Sequence, residues 1–273
     1  MKVNILFQIF GIIICSSSLV EGFSYADEVR DIFRRHFNNE DNECWERTNT
    51  NQYTDTIGMA KALVNVYTQE CKNFNNKKYG WSFYRVLNDK LRGRTNEPIW
   101  LDTEDLLNRA LSVLGLQTGN TLFRACQCSD IKKGYILMNY DFWSTSLDAS
   151  QTTQFLSKDK IFFKLTASPA GTYIDKYSAF PEKEVLLQSK SQLYVEEYIT
   201  DTQEIEAKTN ELKLPTDTKM KAFAVVTGNI PPSVSGSALN SGKCDCSGGT
   251  TSGASMPTSF LSALFFIALT LVW

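Results

Sequence analysis

Three short segments in the second half of the chain carry residues whose types and spacing could do chemistry. In segment 121–127 a lone charge, Arg124, sits inside an apolar run. The two-residue period of a strand puts it on one face with Leu122 and Cys126. A guanidinium there must meet a carboxylate, or the phosphates or hydroxyls of a ligand, since an unpaired buried charge is costly. The run Tyr140-Asp141-Phe142-Trp143-Ser144-Thr145-Ser146-Leu147 places three hydroxyls directly after aromatic residues. Such a run can hydrogen-bond a ribose or an amide beside a stacking surface. The run Ser178-Ala179-Phe180-Pro181-Glu182-Lys183-Glu184-Val185-Leu186-Leu187 holds two carboxylates two positions apart. In extended backbone Glu182 and Glu184 project to the same side while Lys183 turns away. A carboxylate pair suits a site that stabilises a developing cation and holds a cationic acceptor. Taken singly, each segment has a plainer account: a buried ion pair at Arg124, a strand end where Asp148 or Ser146 caps the next helix, a solvated acidic turn.

The elements that must position these residues read as helices first and strands afterwards. Ala60, Leu63, Val64, Tyr67 and Cys71 form one apolar helix face, and Tyr84, Leu87 and Leu91 repeat the signal more weakly. Leu107, Ala110, Leu111 and Leu114 form another, for which Thr103 is the expected cap, Glu104 and Asp105 the first turn and Gly115 the stop. From about residue 120 the pattern changes to strands, expected near 121–127, 140–146, 160–166, 172–177, 184–188, 191–199 and 221–227. Segments 168–171 and 201–218 read as breaks. The order implies an α+β fold, with N-terminal helices packed on a largely antiparallel sheet system.

Composition sets the wider frame. With 273 residues, 42% hydrophobic, and a formal net charge of −2, the chain suits one globular domain and has no basic footprint for nucleic acid. Residues 1–22 read as a secretory signal: Lys2, an apolar run over 5–15, then small residues and a cleavage point after Gly22. Residues 23–228 form the folded domain. Residues 229–259 are a Ser/Gly/Pro-rich stalk with a small-residue site near 247, and 260–273 are an apolar tail. Small site, polar spacer and tail together read as a GPI-anchor signal whose tail is removed. Of seven Cys, Cys15 would leave with the signal, so Cys44, Cys71, Cys126, Cys128, Cys244 and Cys246 are expected in disulfides. The Cys-x-Cys pairs lack zinc-ribbon spacing, so no metal site is expected. The one histidine, His36, follows Val29, Ile32 and Phe33 on a helix face and reads as structural.

In order and context the three segments resemble the arginine-specific, clostridial-toxin-like mono-ADP-ribosyltransferases of animal cell surfaces. The resemblance rests on Leu122-Phe123-Arg124, on Phe142-Trp143-Ser144-Thr145-Ser146-Leu147, and on Phe180-Pro181-Glu182-Lys183-Glu184-Val185-Leu186. It covers most of residues 25–228 and is looser in the helical half, where Tyr84-Arg85-Val86-Leu87-Asn88 takes part. It implies the split-sheet fold of those enzymes and NAD as substrate. By this resemblance Arg124 holds the NAD phosphates and ribose, and Ser144 orients the nicotinamide ribose and Glu184. Glu184 stabilises the oxocarbenium-like transition state, and Glu182 holds the target guanidinium and takes its proton. The family has Gly after the motif Arg, where this chain has Ala125, whose backbone would meet the nicotinamide amide.

The implied partners are arginine-bearing target proteins, and a membrane reached through the GPI anchor. A surface NAD glycohydrolase, with water as acceptor, is the nearest alternative reading. A binding module on the same scaffold, without catalysis, is the more distant one.

Overall fold

The computed structural model describes residues 24–37, 53–69, 71, 81–178, 183–234 and 244–245. Glu182, Cys44, Cys246, the 1–22 signal, the anchor site near 247 and the 260–273 tail lie outside these described residues.

Four helices come first: α1 (Tyr25–Phe37), α2 (Thr56–Thr68), α3 (Phe83–Arg92) and α4 (Pro98–Leu114). Their apolar stripes meet in one core, where Val29, Phe33, Leu63, Leu87, Trp100 and Leu107 are fully buried or nearly so. Asp55 caps α2 by accepting the Gly58 N–H at 2.8 Å, an interaction that typically contributes about 1 kcal/mol.

Helix α4 corrects the expected start. It begins at Pro98, whose missing N–H costs nothing at the first position, and runs through Thr103. Thr103 caps nothing: its hydroxyl donates to the Ile99 carbonyl at 2.6 Å. Glu104 likewise lies within the helix. Its buried carboxylate accepts Ser189 Oγ at 2.6 Å and pairs with Lys190 at 3.0 Å, tying α4 to a turn of the sheet. Thr-Glu-Asp imitates a helix start, but Pro98 and the buried Trp100 carry the apolar face further back.

His36 is structural, as its sequence setting implies. Its ring lies among Phe83, Trp100 and Phe37. Because the Thr103 hydroxyl donates to Ile99, its oxygen is the acceptor for His36 Nε2–H at 2.9 Å. Burial, with Arg35 adding to it, lowers the His36 pKa to about 3.

The sheet follows: β1 (Leu122–Cys128), β2 (Ile136–Asn139), β3 (Trp143–Ser146), β4 (Ile161–Ala167), β5 (Gly171–Tyr173), β6 (Glu184–Leu187), β7 (Ser191–Ile199), β8 (Ala222–Thr227) and the short β9 (Cys244–Asp245). Spatial order is β2-β7-β8-β4-β1-β3-β6-β5, with β9 added beside β1. Among the described strands every pairing is antiparallel except β4 with β8. The sheet curls: Leu137 of β2 and Val185 of β6, far apart in strand order, share one core with Leu122, Phe163 and Ala224. Leu186 instead points the other way, with Phe142 and Ile174, into the helical core. Gly171 opens β5 because a Cβ there would come within 2.6 Å of the Leu187 side chain.

Two expected features differ. The segment 201–218 is not merely a break, since Thr202–Glu211 forms helix α5. Asp201 caps it through the N–H groups of Gln203 and Glu204, both at 3.0 Å. The helix buries only Thr209, so it lacks the apolar stripe that betrays the others. The segment 140–146 is a strand only from Trp143, and a separate strand, β2, precedes it. Among the described residues no helix is long and apolar enough to cross a membrane.

Cysteine usage matches expectation where it is described. Cys128 and Cys244 are joined across 116 positions, and Cys71 and Cys126 are also disulfide-bonded. A cross-link closing so long a loop stabilises by roughly 5 kcal/mol through unfolded-state entropy.

Candidate active site

The site grows from a fork in the sheet. On one side β1 pairs with β4 over five successive positions, Leu122 to Cys126. On the other it meets β3 only at Phe123, opposite Ser146. Beyond that point β3 turns to β6, and Arg124 occupies the opening between them.

Arg124 is 8% exposed and leaves β1 on the inward face, as the two-residue period requires. Its guanidinium lies 5.4 Å over the Trp143 ring, and Nη1 donates to the Ser144 carbonyl in a short hydrogen bond. Nε donates to Cys126 Sγ at 3.0 Å. Burial lowers the Arg124 pKa; Asp141, Tyr67 and Glu184 act against that, while Arg92 adds to it.

Ser144 and Glu184 approach the fork from β3 and β6. The ladder sets Ser144 opposite Leu186 and Ser146 opposite Glu184, so these four side chains share one face. Ser144 and Glu184 are diagonal neighbours there, at a Cβ separation of roughly 7 Å. Glu184 is 7% exposed, and Ser178 Oγ donates to its Oε2 at 3.5 Å. Thr145 points to the opposite face and locks the ladder by donating to the Val185 carbonyl at 2.6 Å. Arg124 meets this pair at the fork not through the ladder but through the Ser144 carbonyl and the charge of Glu184, across 60 positions of the chain (184 − 124).

The Glu-Lys-Glu segment departs from the expected geometry. Lys183 has φ of +51°, in the left-handed region, so the backbone is not extended through it. An alternating-side argument for Glu182 and Glu184 therefore does not apply. Three contacts hold Lys183 in this conformation, which a non-glycine residue adopts at a cost of about 1 kcal/mol. Its N–H donates to Asp175 Oδ1 at 2.8 Å, its carbonyl accepts the Leu147 N–H at 3.2 Å, and its ammonium pairs with Asp148 at 3.1 Å. Asp148 also caps the 3-10 helix Ala149–Phe155, as the plainer account of that segment holds.

Ala125 causes no distortion. It pairs with Phe162 in the β1–β4 ladder, and its φ is not positive. The backbone here makes no demand that only glycine could meet.

Two further charges, the buried Asp141 and the half-buried Arg92, lie beside the site. Asp141, 1% exposed, pairs through Oδ2 with Arg92 Nη1 at 2.6 Å. Burial raises the Asp141 pKa, with Arg92 and then Arg124 opposing. Asp141 had a usable signal, a charge flanked by Tyr140 and Phe142. Arg92 had none, because its partner lies 49 positions away. Tyr67 closes the site from α2: its hydroxyl accepts Asn88 Nδ2 at 2.9 Å, its ring meets Phe142 edge-on at 5.8 Å, and burial pushes its phenol pKa up.

Known structures share this fold. Exoenzyme S from Pseudomonas aeruginosa, solved in complex with human 14-3-3 protein beta and bound to carba-NAD, aligns with a TM-score of 0.51. The alignment has 16% identity and covers 88% of this chain and 98% of that one. The ADP-ribosyltransferase HopU1 of Pseudomonas syringae pv. Tomato DC3000 aligns with a TM-score of 0.50 and 15% identity, over 74% of this chain and 96% of that one. The fold is that of the ADP-ribosyltransferases. No protein-family model and no curated protein sequence matches the chain. At such identities the likeness to these ADP-ribosyltransferases is one of architecture, and the chemistry must be argued from the side chains at the fork.

Proposed function

We propose that this protein is an NAD-dependent mono-ADP-ribosyltransferase that modifies arginine side chains of other proteins at the outer cell surface. The observation that carries the reading is the meeting of Arg124, Ser144 and Glu184 at the fork of an ADP-ribosyltransferase fold. A buried guanidinium, a hydroxyl and a carboxylate are the groups needed to hold a dinucleotide and to stabilise a sugar cation.

In this reading NAD is the substrate. Arg124 holds the phosphate and ribose side, the backbone at Ala125 meets the nicotinamide amide, and Ser144 orients the ribose. As the bond from ribose C1′ to the nicotinamide nitrogen breaks, its electron pair leaves with nicotinamide. Glu184 stabilises the positive charge left on the sugar. A target arginine nitrogen then bonds to C1′ and gives its proton to Glu182. Holding both reactants in register supplies much of the rate.

Arginine as acceptor is supported by Glu182 in the Glu-Lys-Glu segment. Surface attachment through a GPI anchor near residue 247 is supported by the small residues, polar spacer and apolar segment 260–273. The disulfides at Cys71, Cys126, Cys128 and Cys244 fit an oxidising compartment.

The deciding experiment supplies etheno-NAD with an arginine-rich polypeptide and follows both label transfer and nicotinamide release. Label on arginine is expected. Nicotinamide released without label makes the protein a glycohydrolase, and neither product leaves a binding module. Release from expressing cells by phosphatidylinositol-specific phospholipase C tests the anchor; retention would refute it.

A further inference from the structure

Glu182 and Glu184 are each joined to Lys183 by one peptide bond. Both of those peptide groups are held, through the two backbone polar atoms of Lys183. Its N–H donates to Asp175 Oδ1 at 2.8 Å, and its carbonyl accepts the Leu147 N–H at 3.2 Å. Asp175 stands shortly past the end of β5 and Leu147 directly past the end of β3, so two strand ends grip one residue. Asp175 is itself fixed, because its other oxygen, Oδ2, accepts the Tyr173 hydroxyl at 3.2 Å. Beside it the Ile174 N–H donates to the Glu184 carbonyl at 3.0 Å, which sets the register at which Asp175 meets Lys183.

Of the contacts on Lys183, the one from Asp175 is made by a side chain to the backbone. The ion pair with Asp148 lies among solvent-exposed groups, where such a pair contributes little. A backbone N–H donating to a carboxylate is a charge-assisted bond, stronger than a neutral one. It supports a φ of +51° that a lysine otherwise avoids.

We propose that Asp175 is a positioning residue for the acceptor step: by holding the Lys183 N–H it fixes the turn between Glu182 and Glu184, and with it the choice of arginine over water. The consequence for acceptor choice rests on the function proposed above. The hold of Asp175 on Lys183 does not. Glu184 has supports of its own, in the β3–β6 ladder and the Ile174 N–H. Loss of Asp175 is therefore felt first in transfer and less in nicotinamide release. A residue that only stabilised the fold would lower both together.

The test compares Asp175→Ala, Asp175→Asn and the double variant Asp175→Ala with Lys183→Asn, all in the full chain. Asp201→Ala, which removes the α5 cap, is the control. Three readouts are taken: label transfer from etheno-NAD to an arginine-rich polypeptide, nicotinamide release without acceptor, and hydrogen exchange of the Lys183 amide by NMR. Asp175→Ala is expected to lower transfer roughly tenfold or more, to keep release within about threefold, and to speed the exchange roughly tenfold. Asp175→Asn keeps an oxygen that accepts the N–H, so all three readouts should stay within about threefold of the parent. Asparagine adopts positive φ more readily than lysine, so Lys183→Asn should restore part of the transfer lost in Asp175→Ala. Transfer and release falling equally in Asp175→Ala, or exchange unchanged there, would overturn the proposal. So would a tenfold loss of transfer in Asp175→Asn with exchange unchanged. If Asp175→Ala fails to fold, exchange in the parent decides: a Lys183 amide as fast as an unbonded one overturns the proposal, and a protected amide that stays protected in Asp175→Asn upholds it. If the parent transfers no label, the proposed function fails, while the exchange measurements still decide the hold on Lys183.

Discussion

In the helical layer most buried polar groups are neutral and several settle in pairs, Glu104 with Ser189 and Lys190 being a charged exception. His36 meets Thr103, the Tyr25 hydroxyl donates to the Leu106 carbonyl at 3.0 Å, and Asn88 meets Tyr67. At the fork between β1 and β3 the buried groups include charges: Arg124, Asp141 and Glu184, with the half-buried Arg92 paired to Asp141, act on one another within one neighbourhood. Neutral pairs satisfy polar atoms at little cost and let apolar packing set stability. Buried charges are expensive, and a fold that keeps them gains specificity of arrangement rather than stability. Changes in the first region should therefore be felt as unfolding, and changes in the second as lost chemistry.

Glu184→Gln should break the comparison most sharply, lowering nicotinamide release roughly a thousandfold, about 4 kcal/mol in barrier, with little change in melting temperature. Glu182→Gln should abolish label transfer to arginine yet keep part of the nicotinamide release. Equal transfer by both variants would sink the assignment of their roles. In the helical core, Leu63→Ala should cost about 3 kcal/mol in urea unfolding and leave turnover per folded molecule unchanged. A normal unfolding midpoint would show that Leu63 is less tightly packed than its complete burial implies.

The fourth prediction concerns acid. The folded-state pKa of His36, about 3, lies below its ordinary 6.5, so the unfolded chain takes up the proton first. This contribution is complete above pH 6.5 and is lost as pH falls towards 3, at roughly 1.4 kcal/mol per unit. His36→Leu should flatten that slope in unfolding curves recorded between pH 7 and pH 4. The smallest effect is expected at Asp201→Ala, which removes the α5 cap and should lower stability by about 1 kcal/mol without changing NAD turnover.

The same two regions differ in how readily they were read from sequence. The helices were legible because their buried faces recur at the helical period, as at Leu63, Val64 and Tyr67. Helix α5 was not, since a helix that buries one threonine leaves no stripe. Arg124, Ser144 and Glu184 were legible as unusual residues in strand settings. Asp141 and Arg92 lie beside the same site but pair across 49 positions, and no local pattern announces such a partner. The bend at Lys183 was missed because strand alternation assumes extended backbone, whereas contacts from Asp175, Leu147 and Asp148 select another conformation.

The Cys128–Cys244 bond reaches beyond the economy of folding. A pull on the chain past residue 245 is delivered by covalent bonds straight into β1, the strand from which Arg124 projects. Along that route the load enters at the middle of the sheet, between β4 and β3, and not at an edge strand.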